Sequence, residues 1–384
     1  MNKNKRFDVA VIGAGVFGAW TAWHLTARGK RVILLDAYGR AHSRASSGGE
    51  SRIIRMGYGA DELYTRWSQR SLLQWKEFFA KSEERLFLET GVLWLSGKDN
   101  SRLRETAATL QRCGVPFEKL DLGALEKRYP QINFGDVGEG ILEPQSGVLL
   151  ARRAVAAVVQ GCVQRGAEYW DGLAETPRGS GELRAIRTKN GASFAAKQFV
   201  FACGAWLGKV FPEILGSRIF PTRQEVFFFG PPAGDFRFAP PALPTWLFQE
   251  DEFYGMPDIE GRGLKIAWDG HGEMVDPDTQ PRMVSAEMTS KAREYVARRF
   301  PALRDAPIVE TRVCQYENTS SGDFLVDRHP EMSNVWFAGG GSGHGFKHGP
   351  ALGEYVAGQL LDGSPVEERF SLASKSTLRQ RAVY

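Results

Sequence analysis

The sequence predicts an α/β fold, α+β overall, in which a domain built on a parallel sheet is joined to a second, mostly antiparallel β-sheet domain flanked by helices. Three features predict it. The chain opens with strand, glycine-rich turn, helix and second strand; its middle is a series of strand-length pieces separated by turns; and two later stretches return to the opening style.

Residues 7–12, Phe-Asp-Val-Ala-Val-Ile, form a nearly continuous apolar run bounded by Gly13, as expected of a parallel strand buried on both faces. A helix follows over 17–28, with Trp20, Trp23 and Leu25 among its apolar residues and Gly29 placed to end it. The next apolar run, 32–35, ends in Asp36 and completes a βαβ beginning whose right-handed crossover sets the two strands side by side. Residues 62–79 read as a long amphipathic helix through Leu63, Trp67, Leu72, Trp75 and Phe78. Strand-like pieces at 91–95, 225–229 and 264–268 then suggest an antiparallel sheet. The opening style returns at 198–202, before Gly204, and at 335–338, before a glycine-rich turn and a helix over 350–361 with Pro350 at its start and Gly363 after its end. The parallel-sheet domain is therefore expected from residues 1–85, 145–220 and 320–384, and the second domain from 86–144 and 221–319. A length of 384 residues suits two cores better than one.

Composition excludes several functions. Lys plus Arg number 49 against 45 Asp plus Glu, too even a balance for the basic stripe that nucleic acid requires. The one dense basic stretch, Lys3, Lys5 and Arg6, runs into a strand rather than an apolar signal core, and no run of eighteen apolar residues occurs. The terminal Ala-Val-Tyr is not a peroxisomal address of the Ser-Lys-Leu type. The expectation is a soluble, cytoplasmic protein with no membrane or nucleic-acid partner. Cys113, Cys162, Cys203 and Cys314 lie far apart, without metal-site spacing, and read as reduced thiols with no metal.

Gly13, Gly15 and Gly18, with Val16 and Phe17 among them, make a G-x-G-x-x-G between strand and helix, and Asp36 lies eighteen residues after the last glycine. Glycines allow a tight turn and close approach to a diphosphate, the helix N-terminus faces its charge, and the acid accepts from ribose hydroxyls. A bound dinucleotide follows, either FAD or NAD. In the next segment, 46–55, Ser47 and Gly48 would let a loop pass close to a flat ring, and Arg52 and Arg55, three apart, could bring two cations to one place. A solvated surface loop accounts for that segment equally well.

Further motifs recur in order: Ser51-Arg52-Ile53-Ile54-Arg55, Glu143-Pro144 with Ser146-Gly147-Val148, Ala202 with Gly204-Ala205-Trp206, Gly263-Leu264-Lys265, Val313-Cys314-Gln315-Tyr316, and Gly341-Ser342-Gly343-His344-Gly345-Phe346-Lys347. Through them the chain resembles, over nearly its whole length, the amine-oxidising flavoproteins of the D-amino-acid oxidase superfamily, in particular the subgroup of monomeric sarcosine oxidase and N-methyltryptophan oxidase. The resemblance implies a Rossmann-type FAD-binding domain beside a substrate domain. FAD would be held by the glycine fingerprint, Asp36, Ser47, Gly48, Arg52, Ala202, Gly204, Trp206, Gly341, Gly343, His344, Gly345 and Lys347, with a covalent bond from Cys314 to its 8α carbon. A free cysteine on an apolar strand is otherwise a small buried hydrophobe.

The same resemblance places the substrate carboxylate on Arg55 and Lys347, oxygen activation on Lys265, and the substrate cavity beside Tyr254 and Tyr316, with Arg52 also near the chemistry. Strand tyrosines serve packing as often as recognition. A lysine inside Leu264-Lys265-Ile266-Ala267-Trp268 is costly to bury unless alternation turns it to solvent. In one respect the chain departs from the family: Asp269, with His271 two residues on, stands where sarcosine oxidases carry a histidine, and Ser47-Gly48 replaces a two-histidine stretch. The implied activity is oxidation of the C–N bond of a secondary amino acid, sarcosine or another N-substituted glycine such as iminodiacetate, to an imine that hydrolyses, while O2 becomes hydrogen peroxide. The implied state is a monomer. The alternatives are a flavin dehydrogenase of the same scaffold using another acceptor, or an oxidase of pipecolate or fructosyl amino acids.

Overall fold

The computed structural model describes residues 6–81, 84–98, 100–363 and 365–376; Lys3, Lys5 and the terminal Ala-Val-Tyr lie outside the described residues. The opening strand forms over Arg6–Ile12 and the next over Val32–Asp36, paired in parallel with Val9 opposite Val32 and Ile12 opposite Leu35. The helix between them, Val16–Ala27, stops where Gly29 adopts a φ of 72°, a left-handed conformation that glycine takes without strain. Five strands run in parallel, in the order Val335–Gly339, Ser193–Phe201, Arg6–Ile12, Val32–Asp36 and Glu168–Asp171. Antiparallel Leu325–Arg328 closes one edge, and Ala185–Arg187 hangs on Ser193–Phe201. Helices Val16–Ala27, Ala151–Gln164 and Gly349–Asp362 pack together over this sheet. Cover on both sides explains why its inner strands read as unbroken apolar runs rather than as alternation.

The second sheet has eight strands, in the order Ile308–Thr319, Ile219–Phe229, Leu264–Trp268, Phe253–Met256, Thr245–Phe248, Val92–Ser96, Glu139–Glu143 and Glu118–Asp121. It is antiparallel except where Thr245–Phe248 runs parallel to Val92–Ser96, so two distant stretches of chain meet in its middle. The strand predicted at 225–229 extends to Ile219–Phe229, because pairing with the twelve-residue Ile308–Thr319 satisfies its polar half. A small third sheet joins Arg52–Ile54, Gly147–Leu149 and Phe87–Leu88 and was not legible in the periodicity, its strands being three residues or fewer. The long helix forms over Glu62–Phe79, with the Asp61 side chain accepting from Tyr64 N at its start. Among the described residues no helix is long and apolar enough to cross a membrane.

Candidate active site

A cavity of about 940 Å³ opens at the C-terminal ends of the parallel strands, the place where open α/β sheets take their ligands. Gly13 has a φ of 104°, and a Cβ there would stand 2.2 Å from Ala202 O; one on Gly18 would stand 1.8 Å from Gly13 O. The first and third glycines of the motif are therefore closed to any side chain. The following helix has no acidic residue in its first turn and no side-chain cap at Gly15, while Val16 N donates to Ser47 Oγ at 3.1 Å. A positive helix end thus faces the cavity, as a diphosphate requires. At the end of the neighbouring strand Asp36 accepts from Ala14 N at 2.8 Å and from Tyr38 N at 3.0 Å, and burial raises its pKa.

Of the residues singled out in the sequence, Gly13, Gly15, Val16, Phe17, Asp36, Ser47 and Arg52 line the cavity from one side. Ala202, Gly204, Trp206, Cys314, Tyr316, Gly341, Gly343 and Gly345 line it from the other. Gly18, Gly48, His344 and Lys347 do not. Gly18 seats the helix on the turn, and a Cβ on Gly48 would meet His42 O at 2.0 Å, so both act through packing. The His344 ring is committed to a buried aromatic cluster. It bonds Tyr58 Oη at 3.1 Å and Gly322 O at 3.0 Å and stacks on Phe324. What its turn presents to the cavity is Gly343 and Gly345 instead.

Cys314 lies on the strand Ile308–Thr319, buried and among the cavity's lining residues, with its Sγ 3.3 Å from Arg52 Nη2. Arg52 also donates to Ser46 O at 2.6 Å and Ser51 O at 2.7 Å. Leu264–Trp268 is buried on both faces, so Lys265 lies inside: it is 3% exposed, and its Nζ donates to Ser51 O at 2.9 Å and Ser51 Oγ at 3.1 Å. Burial first, then the Arg52 guanidinium, holds its pKa well below the usual lysine range.

Arg52 and Arg55 have different partners, Arg52 bonding Ser46 O and Ser51 O while Arg55 donates to Gly57 O and stacks on Trp94. The pair that shares one place is Arg55 and Lys347, both buried against the ring of Tyr58, with Arg55 Cζ at 4.5 Å and Lys347 Nζ at 5.2 Å from its centroid. Arg55 also stacks on Trp94 and donates to Gly57 O. Lys347 Nζ donates to His344 O at 2.9 Å, and burial together with Arg55 pushes its pKa well down. Facing these cations is Asp269, 7% exposed, which accepts from Tyr316 Oη at 2.5 Å. Burial raises its pKa, opposed by the Tyr316 bond, Arg55, His271 and Lys347. Tyr254, in turn, lies close enough to feel the charges of Asp269, Arg52 and Cys314. The cluster adjoins the large cavity through Tyr316, which belongs to both.

A family model described as FAD dependent oxidoreductase matches residues 8–359. The chain belongs to this family of flavoenzymes. It is 30% identical over 390 residues to monomeric sarcosine oxidase of Bacillus sp. (strain NS-129), covering 98% of this chain and 99% of that protein. It is 28% identical over 370 residues to N-methyl-L-tryptophan oxidase of Salmonella newport (strain SL254), covering 94% of this chain and 96% of that one. Among solved structures, L-proline dehydrogenase from P. horikoshii superimposes with a TM-score of 0.84 at 22% identity, over 98% of this chain and 100% of that chain, a likeness of fold.

The cavity of this flavoenzyme fits FAD. Its glycine turn excludes side chains at Gly13 and Gly18, its helix end supplies amides, Asp36 lines it from the end of the neighbouring strand, and the Cys314 thiol and the Arg52 guanidinium belong to its lining. Sequence reasoning noted Glu143 within a motif but gave it no role, and it missed Glu317. Glu143 accepts from Met56 N at 2.7 Å, Gly57 N at 2.9 Å, Trp94 Nε1 at 2.7 Å and Ser146 Oγ at 2.5 Å, and so clamps the loop that aims Arg55. Glu317 lines the cavity, and burial pushes its pKa up to about 7, against the pull of the Gly340 and Gly341 amides. The legible signal for both was a carboxylate within a strand otherwise suited to burial, a costly placement without a purpose.

Proposed function

We propose that this flavoenzyme oxidises the C–N bond of a secondary amino acid to an imine, which water hydrolyses, and that dioxygen is reduced to hydrogen peroxide. The observation that carries the reading is the pairing of Arg55 and Lys347 on one aromatic ring, opposite Asp269 and next to the cofactor cavity. A guanidinium fork and an ammonium beside each other suit one carboxylate. Its negative charge would offset the burial and the repulsion from Arg55 that depress Lys347. Asp269, held by Tyr316, faces the same space with a negative charge and suits the substrate's amine. The amine must lose its proton before a hydride equivalent can leave the adjacent carbon, and Asp269 is the group that takes it. FAD, when bound, supplies the two-electron acceptor. The protein's own part is to order the charges and exclude water.

We infer that residues 1–85, 145–220 and 320–384 serve as the FAD-binding domain and 86–144 with 221–319 as the substrate domain; the membership of the two large sheets supports this division. N-substituted glycines such as sarcosine or iminodiacetate lead the substrate reading, since an anion site and a facing acid need a carboxylate and an amine close together. The names of the bacterial relatives support a monomer. A peroxide-detecting assay across N-substituted glycines, pipecolate and fructosyl amino acids tests the activity; no peroxide from any of them would refute it.

The pH dependence tests Asp269. Its raised pKa means that it gains a proton at a higher pH than an exposed aspartate, so kcat/KM is expected to fall on the acid side through that pKa. Asp269→Asn should abolish this acid limb and lower kcat by about 10²-fold; an unchanged pH profile would remove Asp269 from the chemistry.

Cys314 is the residue we assign to covalent attachment of the flavin. Its burial on the cavity wall, and the absence of any disulfide partner among the described residues, support this. Protein denatured in acid should stay yellow, and Cys314→Ser should release its colour into the supernatant. Acid-stable colour in the variant would move the attachment elsewhere.

A further inference from the structure

Gly57 and Trp94 both hold Arg55: the carbonyl oxygen of the first accepts from its guanidinium, and the ring centroid of the second lies 4.8 Å from its Cζ. Both are bonded to one atom. Glu143 Oε1 accepts from Gly57 N at 2.9 Å and from Trp94 Nε1 at 2.7 Å, while Oε2 accepts from Met56 N at 2.7 Å and from Ser146 Oγ at 2.5 Å. We propose that Glu143 is a positioning residue for recognition of the substrate carboxylate, setting the direction in which Arg55 presents its guanidinium; this rests on the reading of Arg55 and Lys347 as the carboxylate site.

Strand register makes the arrangement. Glu139–Glu143 pairs antiparallel with Val92–Ser96, Glu143 opposite Val92 and Ile141 opposite Trp94, so Glu143 and Trp94 are diagonal neighbours on one face. Glu143 is 1% exposed, and Trp94 is buried beside it. A carboxylate offers about four acceptor sites, and a buried one persists where donors fill them; here four donors do. A Cβ on Gly57 would stand 2.7 Å from the Trp94 ring, so the loop lies flat on the indole that Arg55 stacks upon. Met56 O accepts from Thr65 Oγ1 at 2.8 Å, which fastens the same loop to the helix Glu62–Phe79. A guanidinium fixed before the substrate arrives loses less freedom on binding it. The charge of Glu143 also reaches Lys347, where it favours the protonated form. Direct Coulomb repulsion between Glu143 and a bound carboxylate would weaken binding, so position and repulsion predict opposite signs when Glu143 is removed.

Acetate, a carboxylate without an amine, is the probe, titrated into the oxidised holoenzyme and followed by the flavin's visible absorbance. Glu143→Ala should weaken acetate binding about tenfold, the size expected when a charge-assisted bond is misaligned. Trp94→Phe keeps an aromatic ring against Arg55, removes one donor to Oε1, and should weaken acetate about threefold. Glu143→Gln should bind close to the parent: its carbonyl oxygen can keep the Gly57 and Trp94 bonds, with its amide on the side of Ser146 Oγ, which can turn to accept. With the amino-acid substrate the loss in Glu143→Ala should appear in KM, with kcat within about twofold of the parent. Unchanged or tighter acetate binding in Glu143→Ala or in Trp94→Phe would overturn the proposal, as would Glu143→Gln binding as weakly as Glu143→Ala. If Glu143→Ala holds no flavin, Trp94→Phe decides by the same criterion. If the parent does not bind acetate, or Arg55→Met binds it as tightly as the parent, the carboxylate reading of the site falls first.

Discussion

Lys265→Met should slow the reaction of the reduced enzyme with dioxygen by about 10²–10³-fold, the magnitude typical of removing one preorganised electrostatic group from a dry site. Reduction by the amine should be almost unaffected, because Arg55, Lys347 and Asp269 lie in a separate cluster. Methionine keeps the length and removes the charge, so rapid-mixing measurements of the two half-reactions isolate the ammonium's contribution. A variant that reoxidised in air as fast as the parent would favour a dehydrogenase that hands its electrons to another acceptor.

The same substitution has a stability signature with a definite sign. The Lys265 pKa is well below the ordinary value, so the folded protein holds this proton less tightly than the unfolded chain does. Stability is therefore penalised fully below the folded pKa, and the penalty is relieved as pH rises from there towards the unfolded value. Lys265→Met should be no less stable than the parent near neutral pH, with the difference shrinking on the alkaline side. Thermal melts of the two holoenzymes across pH measure this. A buried charge that costs stability while serving the reaction is the usual trade at a functional site.

Arg55→Met is the other large expected effect: kcat/KM for amino-acid substrates should fall by about 10²–10³-fold, corresponding to the loss of a bidentate, charge-assisted contact. With an amine that lacks the carboxylate, parent and variant should differ little. That comparison separates anion binding from damage to the fold, which matters because Arg55 also donates to Gly57 O and stacks on Trp94. Equal losses on both substrates, or loss of the bound flavin's absorbance, would assign Arg55 a structural role instead.

Legibility along the chain followed sequence distance. The glycine turn, its strand and helix, and Asp36 were readable because each answers to local rules, and the close approaches of Gly13 and Gly18 supply the steric reason. The third sheet was not readable, since strands of two or three residues carry no period. Nor was the orientation of His344: the motif containing it names a turn, while its bonds to Tyr58 and Gly322 depend on residues far along the chain. Of the two readings of 46–55, burial argues against a solvated surface loop. Ser47, Ser51 and Arg55 are all within the interior, each against a distant partner.

By itself, then, the sequence determined the dinucleotide-binding beginning of the chain, its mixed architecture and the residue types available for chemistry, because strand, turn and helix signals are written in neighbouring residues. Tertiary structure alone decided which of them act together. Lys265 reaches Ser51 across 214 positions, Tyr316 reaches Asp269 across 47, and Arg55 meets Lys347 on the ring of Tyr58. The physical reason is that buried charges persist only where other groups compensate them, and those groups are brought within reach by the pairing of strands that lie far apart in the chain.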